Sequence, residues 1–365
     1  MAGVTRYYWD YAATAPLRPE ARAAMLAALD AYGNPSSVHA EGQQARAILD
    51  DCRRAMGEIL DVRAERIVLT SGGTEANNLA IKGSAANGRV LVSALEHDCV
   101  LQSGAAVDAE LIPALPDGTV DLAALAAMLK KGGVGLVSVM HANNETGVIQ
   151  PVEEIARLAH GAGAAFHTDA VQTVGHIPLE VDAIGADLLS FSAHKFGGPK
   201  GIGALVVKNE LSMQALLHGG AQERNRRAGT ENLPAVAGMA AALGTAMGRM
   251  HTERAEAEAI AEALEAGLPA GITMVAPDSP KVPHVRQLLS AGRKGEDVVI
   301  ALDVQGFSTS QGSACSSGRV QASHVLQAMG MNEAASGEGL RLSWGWASRR
   351  AEVAPLLEAL ARVTA

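Results

Sequence analysis

The feature that most constrains the fold of this chain is the alternation of short apolar segments with helical segments between residues 66 and 208. Strands that alternate with helices are typical of an α/β domain with a mostly parallel sheet. Such sheets bind ligands at the carboxyl ends of their strands, so the residues that follow each strand are the first candidates for a functional site. The predicted strands are Arg66–Thr70, Arg89–Ser93, Val134–Val139, Ala164–Thr168, Ala186–Phe191 and Gly203–Val207. The predicted helices between them include Thr74–Lys82, Asp121–Lys130 and Val152–Gly161.

The pattern changes beyond this region. A stretch rich in alanine and glutamate, Pro234–Ala266, predicts one or two long helices. Shorter strand and helix patterns follow it, as expected of a smaller α+β domain. We therefore predict a large α/β domain over residues 10–250 and a small domain formed by residues 1–9 and 251–365.

Composition limits the class of protein. Hydrophobic residues make up 48% of the 365 residues and charged residues 19%, as in an ordinary globular protein. The formal net charge of -9 argues against a general nucleic-acid binder. No apolar run is long enough for a membrane span and no signal core is visible near the N-terminus, which predicts a cytoplasmic protein. The three cysteines lack CxxC spacing, which argues against a disulfide framework, and no metal site is predicted.

Lys195 follows the predicted strand Ala186–Phe191 and precedes a glycine-rich turn. A lysine fixed at a strand end among small residues is placed for covalent chemistry, because partial desolvation favours its neutral amine. A solvated surface lysine is the alternative, which Lys195 taken alone does not exclude.

Other polar residues follow other predicted strands. The glycines before Thr74 allow backbone amides at a helix start to approach an anion. Asp169 could hold a protonated ring nitrogen or simply cap the next helix. His97 could stack on a ring and move protons or be purely structural. Asn144 lies in a polar turn that could bind substrate or need no function.

Two further candidates lie late in the chain. Cys315 stands in a window of small polar residues, which predicts an exposed loop and makes the thiol a candidate nucleophile. Arg341 lies in a predicted strand, Leu340–Trp344, where a half-buried arginine needs an anionic partner. That partner could be a substrate carboxylate or a structural Asp or Glu.

Taken together, these motifs resemble the cysteine desulfurases of the NifS/IscS type, in the class V aminotransferase group of pyridoxal-phosphate enzymes. The resemblance runs from Asp10 to about Ser348, nearly the whole chain. It implies a fold-type I pyridoxal-phosphate-dependent transferase with a mostly parallel mixed sheet. The motifs, in order, are Ser71-Gly-Gly-Thr-Glu-Ala-Asn-Asn78, Glu96-His97, Asn143-Asn-Glu-Thr-Gly147, His167-Thr-Asp-Ala-Val-Gln172, Ser192-Ala-His-Lys195, Arg227-Ala-Gly-Thr-Glu-Asn232 and Gly312-Ser-Ala-Cys-Ser-Ser317.

The resemblance implies that pyridoxal 5'-phosphate is the cofactor and that Lys195 binds it covalently. Asp169 would pair with the pyridine nitrogen and Gln172 with the phenolic oxygen, while His97 would stack on the ring and assist proton transfer. Thr230 would reach the phosphate in a neighbouring subunit, which implies a homodimer. The other phosphate contacts would come from Gly73, Thr74, Ser192 and His194.

The implied reaction converts L-cysteine to L-alanine and places the sulfur on Cys315 as a persulfide. Asn144 and Arg341 would hold the substrate carboxylate. The Cys315 thiol, mostly protonated at neutral pH, needs a proton acceptor, for which His97 is the candidate. The family loop around the cysteine implies a mobile arm that delivers sulfur to acceptor or scaffold proteins for iron–sulfur clusters, thio-cofactors or tRNA.

Other functions remain open at this point. A selenocysteine lyase can use the same framework and needs Cys315 less. A class V aminotransferase has no need of Cys315 in such a loop, and a non-catalytic sulfur-handling scaffold would have no use for the four residues Lys195, Asp169, His97 and Cys315. The sequence does not identify the sulfur acceptor.

Overall fold

A computed structural model of the chain describes residues 5–208, 211–312 and 322–364. The strands in these ranges are β1 (Tyr7–Tyr8), β2 (Ile67–Thr70), β3 (Arg89–Ser93), β4 (Glu110–Ile112), β5 (Val134–Ser138), β6 (Ala165–Asp169), β7 (Leu188–Ser192), β8 (Gly203–Val207), β9 (Ile272–Met274), β10 (Val285–Ser290), β11 (Phe307–Ser308) and β12 (Gly339–Ser343). The α-helices are α1 (Pro19–Ala28), α2 (Ala40–Ile59), α3 (Gly73–Ser84), α4 (Asp98–Ala105), α5 (Leu122–Leu129), α6 (Val152–Gly161), α7 (Leu233–Gly248), α8 (Met250–Ala266), α9 (Gly295–Val304), α10 (His324–Ala328), α11 (Glu333–Ser336) and α12 (Val353–Thr364).

The large sheet has the strand order β2-β8-β7-β6-β5-β3-β4 over the described ranges. Its strands pair in parallel, except that β8 is antiparallel to both β2 and β7. Every residue of β5, β7 and β8 is buried, as expected where helices cover both faces of a sheet. The predicted α/β fold with a mostly parallel mixed sheet is confirmed.

The helix bounds follow local capping. The side chain of Asp121 accepts a hydrogen bond from the amide of Ala124 (2.9 Å), so α5 begins after Asp121 and not at it. The predicted long helical stretch is two helices, α7 and α8. They meet at Arg249, whose φ of -105° and ψ of 3° leave the helical region.

Strands between residues 272 and 343 build a smaller antiparallel sheet in the order β12-β10-β9. Its hydrophobic core is a cluster separate from the core of the large sheet. The rings of Trp9 and Trp344 meet edge to face in this cluster, with centroids 5.6 Å apart. β1 pairs in parallel with β11, so the chain start joins this region. The exact domain boundaries stay a prediction.

The fold brings functional candidates from distant segments to one place. Asp169 ends β6 and Ser192 ends β7, on neighbouring parallel strands of the large sheet. β12 of the small sheet carries Arg341, which contacts the loop after β5. Within the described ranges, no helix is long and apolar enough to cross a membrane.

Candidate active site

A cavity of about 680 Å³ opens where the carboxyl ends of the large-sheet strands meet the small sheet. Thr230 is exposed and does not line this cavity, and Cys315 lies outside the described residues. All the other predicted site residues line it, namely Gly73, Thr74, His97, Asn144, Asp169, Gln172, Ser192, His194, Lys195 and Arg341.

Lys195 closes a short 3-10 turn that follows β7. Its half-buried amine donates to the carbonyl oxygens of Ala12 (2.5 Å) and Ala13 (2.9 Å). Burial, together with the positive charge of Arg341, lowers the pKa of Lys195 from 10.5 to about 8. About a tenth of the amine is then neutral at pH 7, several hundred times more than for a solvated lysine.

Asp169 is a buried carboxylate at the end of β6. One oxygen accepts from the amide of Val171 (2.9 Å) and the other from Nδ2 of Asn77 (2.6 Å). Burial raises the pKa of Asp169, whereas these two hydrogen bonds and the neighbouring Lys195 and His97 favour its charged form. Asp169 thus accepts a hydrogen bond from the turn that follows β6, and it also lines the cavity.

His97 caps the N-terminus of α4. Its Nδ1 accepts from the amide of Cys99 (3.1 Å) and lies 3.1 Å from Sγ of Cys99. The His97 side chain remains in contact with solvent. The surrounding protein nevertheless displaces enough water to lower the pKa of His97, and the negative charge of Asp169 opposes this shift. This direction favours the neutral imidazole near neutral pH.

The N-terminus of α3 forms one wall of the cavity. The first amides of a helix have no acceptor within the helix, so they suit an anion at Gly73 and Thr74. A Cβ atom on Gly73 would lie 3.0 Å from Val171 and 3.5 Å from Ser192, so a larger residue would crowd this wall. His194, whose pKa burial lowers to about 4, adds a neutral imidazole beside it.

Arg341 reaches the cavity from the small sheet. Its NH2 group pairs with a carboxylate oxygen of Asp10 (2.9 Å), and its NH1 group donates to the carbonyls of Asn144 (3.0 Å) and Gly312 (3.2 Å). The sequence left two kinds of anionic partner open for Arg341, a substrate carboxylate and a structural Asp or Glu. The structure shows one of the second kind, Asp10. The buried Nε of Arg341 has no partner among the described residues.

The segment Asp10–Thr14 contributes contacts to the site that the sequence did not predict. Besides receiving Lys195, the carbonyl of Ala12 accepts from the side chain of Gln172 (3.0 Å). The hydroxyl of Thr14 lies 3.1 Å from Nδ1 of His194. This segment therefore contacts four predicted site residues, including Arg341, and its motif was visible only as the start of the family resemblance.

A second missed residue is Glu145, which is buried beside the cavity. Its carboxylate accepts from the hydroxyl of Ser323 (2.5 Å), and a Cβ on Gly312 would lie 3.1 Å from it. Burial raises the pKa of Glu145. Gly312 and Ser323 stand on either side of Cys315 in the sequence, so Glu145 hydrogen-bonds one of them and lies close to the other.

Comparisons with known proteins give one family. The family model described as aminotransferase class-V matches residues 7–356. A cysteine desulfurase IscS of Dictyoglomus turgidum is 38% identical to this chain, over 98% of this chain and 94% of the relative. An IscS-like cysteine desulfurase of Mycobacterium tuberculosis is 37% identical, over 97% and 95%.

Solved structures agree. A NifS-like protein from Rickettsia africae has a TM-score of 0.92 at 28% identity, with 98% of this chain and 99% of that chain covered. A protein called SspA, solved in complex with cysteine, has a TM-score of 0.80 at 29% identity, with 93% and 98% covered. The chain belongs to the class V aminotransferase family and, within it, to the cysteine desulfurases.

Proposed function

We propose that this protein is a pyridoxal-phosphate-dependent cysteine desulfurase that converts L-cysteine to L-alanine. The observation that carries the proposal is the half-buried amine of Lys195, with a pKa of about 8, in one cavity with Asp169 and Arg341. A readily deprotonated amine, a buried carboxylate and an arginine fork are the groups needed to bind the cofactor and an amino acid together.

The cavity fits pyridoxal phosphate. The amides at the start of α3, with Thr74, Ser192 and His194, form a polar cradle for the phosphate, and a side chain at Gly73 would crowd Val171 beside it. Asp169 would hold the pyridine nitrogen, Gln172 the phenolic oxygen, and His97 the face of the ring. When bound, the cofactor withdraws electrons from the α-carbon of an attached amino acid and so makes its proton acidic.

The protein's own groups divide the remaining work. Arg341, with Asn144 beside it, binds the substrate carboxylate and so fixes the orientation of the α-carbon. Lys195 removes the α-proton, because its lowered pKa leaves a useful fraction of free amine near neutral pH. His97, neutral and adjacent to the cavity, exchanges a proton with the substrate.

Cys315 receives the sulfur in this proposal. The carbon–sulfur bond of cysteine breaks and a sulfur–sulfur bond forms with the Cys315 thiol. The hydrogen that this thiol loses is balanced by the one gained at the β-carbon of alanine, so no external oxidant is needed. Support comes from Gly312, three positions earlier in the sequence, which lines the cavity.

The proposal also covers the oligomeric state and the acceptors of the sulfur. Thr230 would complete the phosphate site of a second copy of the chain, so the working unit is a homodimer with shared sites. Support comes from Thr230 itself, which is exposed and does not line the cavity of its own chain. The persulfide would pass to acceptor proteins for iron–sulfur clusters or thio-modification. The cytoplasmic location stays a prediction.

The test measures alanine and protein-bound persulfide from cofactor-loaded protein supplied with L-cysteine. The wild type should form both in equal amounts in the first turnover. Cys315→Ala should form no persulfide, whereas Cys52→Ala, which removes a thiol from α2, should behave as the wild type. Lys195→Ala should lose the absorbance of covalently bound cofactor.

Two results would contradict the proposal. An unchanged spectrum in Lys195→Ala would remove the covalent role of this lysine. Alanine formation at the wild-type rate by Cys315→Ala would remove the sulfur-accepting role of this cysteine. If that variant also released selenium from selenocysteine faster than sulfur from cysteine, the protein would be a selenocysteine lyase.

A further inference from the structure

A second thiol, that of Cys99, lies inside the cavity, and the proposed reaction gives it no role. It stands between two groups that flank the cofactor site. Its Sγ lies 3.1 Å from Nδ1 of His97 and accepts from Nδ2 of Asn77 at 3.3 Å. Nδ2 of Asn77 also donates to Asp169 at 2.6 Å. The four side chains therefore form one continuous hydrogen-bonded row.

The direction of each hydrogen bond in this row follows from the chemistry of its members. A carboxylate only accepts, so the amide nitrogen of Asn77, and not its oxygen, must face Asp169. The second N–H of that nitrogen is free to reach the sulfur of Cys99. Burial raises the pKa of Cys99 to about 12, so the sulfur keeps its own proton and can donate it.

The acceptor of that proton is His97. Its Nδ1 also accepts the backbone amide of Cys99 (3.1 Å), and an N–H donor requires an unprotonated nitrogen opposite it. The neutral imidazole must then carry its proton on Nε2. Two donors at Nδ1 also oppose protonation there, because a protonated Nδ1 could accept neither of them.

We propose that Cys99 and Asn77 are positioning residues that join Asp169 to His97 and hold the neutral imidazole with its proton on Nε2. His97 then offers a hydrogen-bond donor, and not a free acceptor, at Nε2. It is not the resting acceptor for the proton of the Cys315 thiol, the role that the sequence suggested for it. The proposal deepens the proposed function and rests on it for the identity of the reaction.

The experiment measures directly which nitrogen of the His97 imidazole carries the proton. Protein labelled with ¹⁵N-histidine and loaded with pyridoxal phosphate is titrated by NMR, and two-bond proton–nitrogen couplings report which ring nitrogen is protonated. His97→Gln assigns the signal. The matched variants are Cys99→Ser, which keeps a donor, and Cys99→Ala, which removes it; Cys52→Ala controls for the loss of a thiol elsewhere.

The charged and titratable groups near His97 are unchanged in every Cys99 variant, so they act equally on each titration. They are Asp98, Asp169, Lys195 and His324. We expect the Nε2–H form in the wild type and in Cys99→Ser, with the same titration midpoint. In Cys99→Ala the midpoint should move to higher pH, because Nδ1 has lost one of its two donors. Asn77→Ala should shift it in the same direction, because the thiol is no longer held.

Two outcomes would overturn the inference. One is a wild-type His97 protonated on Nδ1. The other is an equal midpoint in Cys99→Ala and Cys99→Ser, in variants that melt at the wild-type temperature. Neither outcome depends on turnover, so loss of cysteine desulfuration and failure of this inference remain distinguishable.

Discussion

The cavity has two walls that differ in the surroundings of their ionisable side chains. The large-sheet wall carries Asp169 and His97, and the small-sheet wall carries Arg341. On the large-sheet wall, burial raises the pKa of Asp169 and lowers that of His97, so both are displaced toward their neutral forms. On the small-sheet wall, the guanidinium of Arg341 pairs with the carboxylate of Asp10 at 2.9 Å. Groups whose protonation is finely balanced suit proton transfer, whereas an arginine held in place by a carboxylate still has its Nε, which has no partner among the described residues, to offer to an anion.

Lys195 lies between the two walls and is influenced by both. The positive charge of Arg341 lowers the pKa of Lys195, and the negative charge of Asp169 raises it. The pKa of Lys195 therefore depends on charged residues of both walls, and not only on the turn that carries the lysine. Substitutions on each wall should separate these effects.

The largest effect is expected at Arg341. Arg341→Ala should raise the KM for cysteine about 30-fold or more, because truncating one partner of a buried charged pair costs about 2–5 kcal/mol. Arg341→Lys should lie between this variant and the wild type, because lysine keeps the charge but lacks the planar fork. Steady-state kinetics on fully cofactor-loaded protein would check this. An unchanged KM in Arg341→Ala would remove the small-sheet wall from substrate binding.

A smaller effect is expected at Asp10. Asp10→Asn should lower the free energy of unfolding by about 1.5–3 kcal/mol, because a largely buried arginine loses its charged hydrogen-bond partner. Urea unfolding of the cofactor-free protein measures this. The matched control is Asp303→Asn, whose exposed pair with Arg6 should contribute less than about 1 kcal/mol. Equal losses in the two variants would mean that the Asp10 pair is no more than a surface contact.

The smallest effect concerns the pKa of Lys195 itself. Arg341→Gln should raise it, because a cation no longer opposes the ammonium form, so less free amine is present at pH 8. Asp169→Asn should lower it, because an anion no longer stabilises that form. The pH dependence of Lys195 acylation in cofactor-free protein, followed by peptide mass spectrometry, reports both. Shifts of the same sign would disprove the opposition between the walls.

The sequence predicted one wall far better than the other. Strand periodicity and motif order placed Lys195, Asp169 and His97 at strand ends, because local apolar patterns determine where each strand stops. The pairing of Arg341 with Asp10 joins residues 331 positions apart, and no local pattern reports such a contact. The contact of Glu145 with Ser323 spans 178 positions and was missed for the same reason.

Contacts made by backbone groups were a second feature that the sequence could not predict. The carbonyls of Ala12 and Ala13 bind the amine of Lys195, yet every residue carries a carbonyl, so the residue type gives no indication of this role. The tertiary fold alone brings them there. The thiol of Cys99 was visible in the sequence, but its partners, His97 and Asn77, emerged only from the geometry.

The central claim is that the cavity, and not a lowered pKa alone, makes Lys195 the cofactor-binding residue. The chain offers an internal control in Lys281. Its pKa is also lowered to about 8 by burial, but it lies outside the cavity, where its amine donates to backbone carbonyls such as that of Ser279.

The most direct measurement is borohydride reduction of cofactor-loaded protein, which fixes the cofactor to the lysine that holds it, followed by peptide mapping. We predict one pyridoxyl group per chain, on Lys195, with Lys281 unlabelled. A label on Lys281, or one spread over several lysines, would contradict the claim.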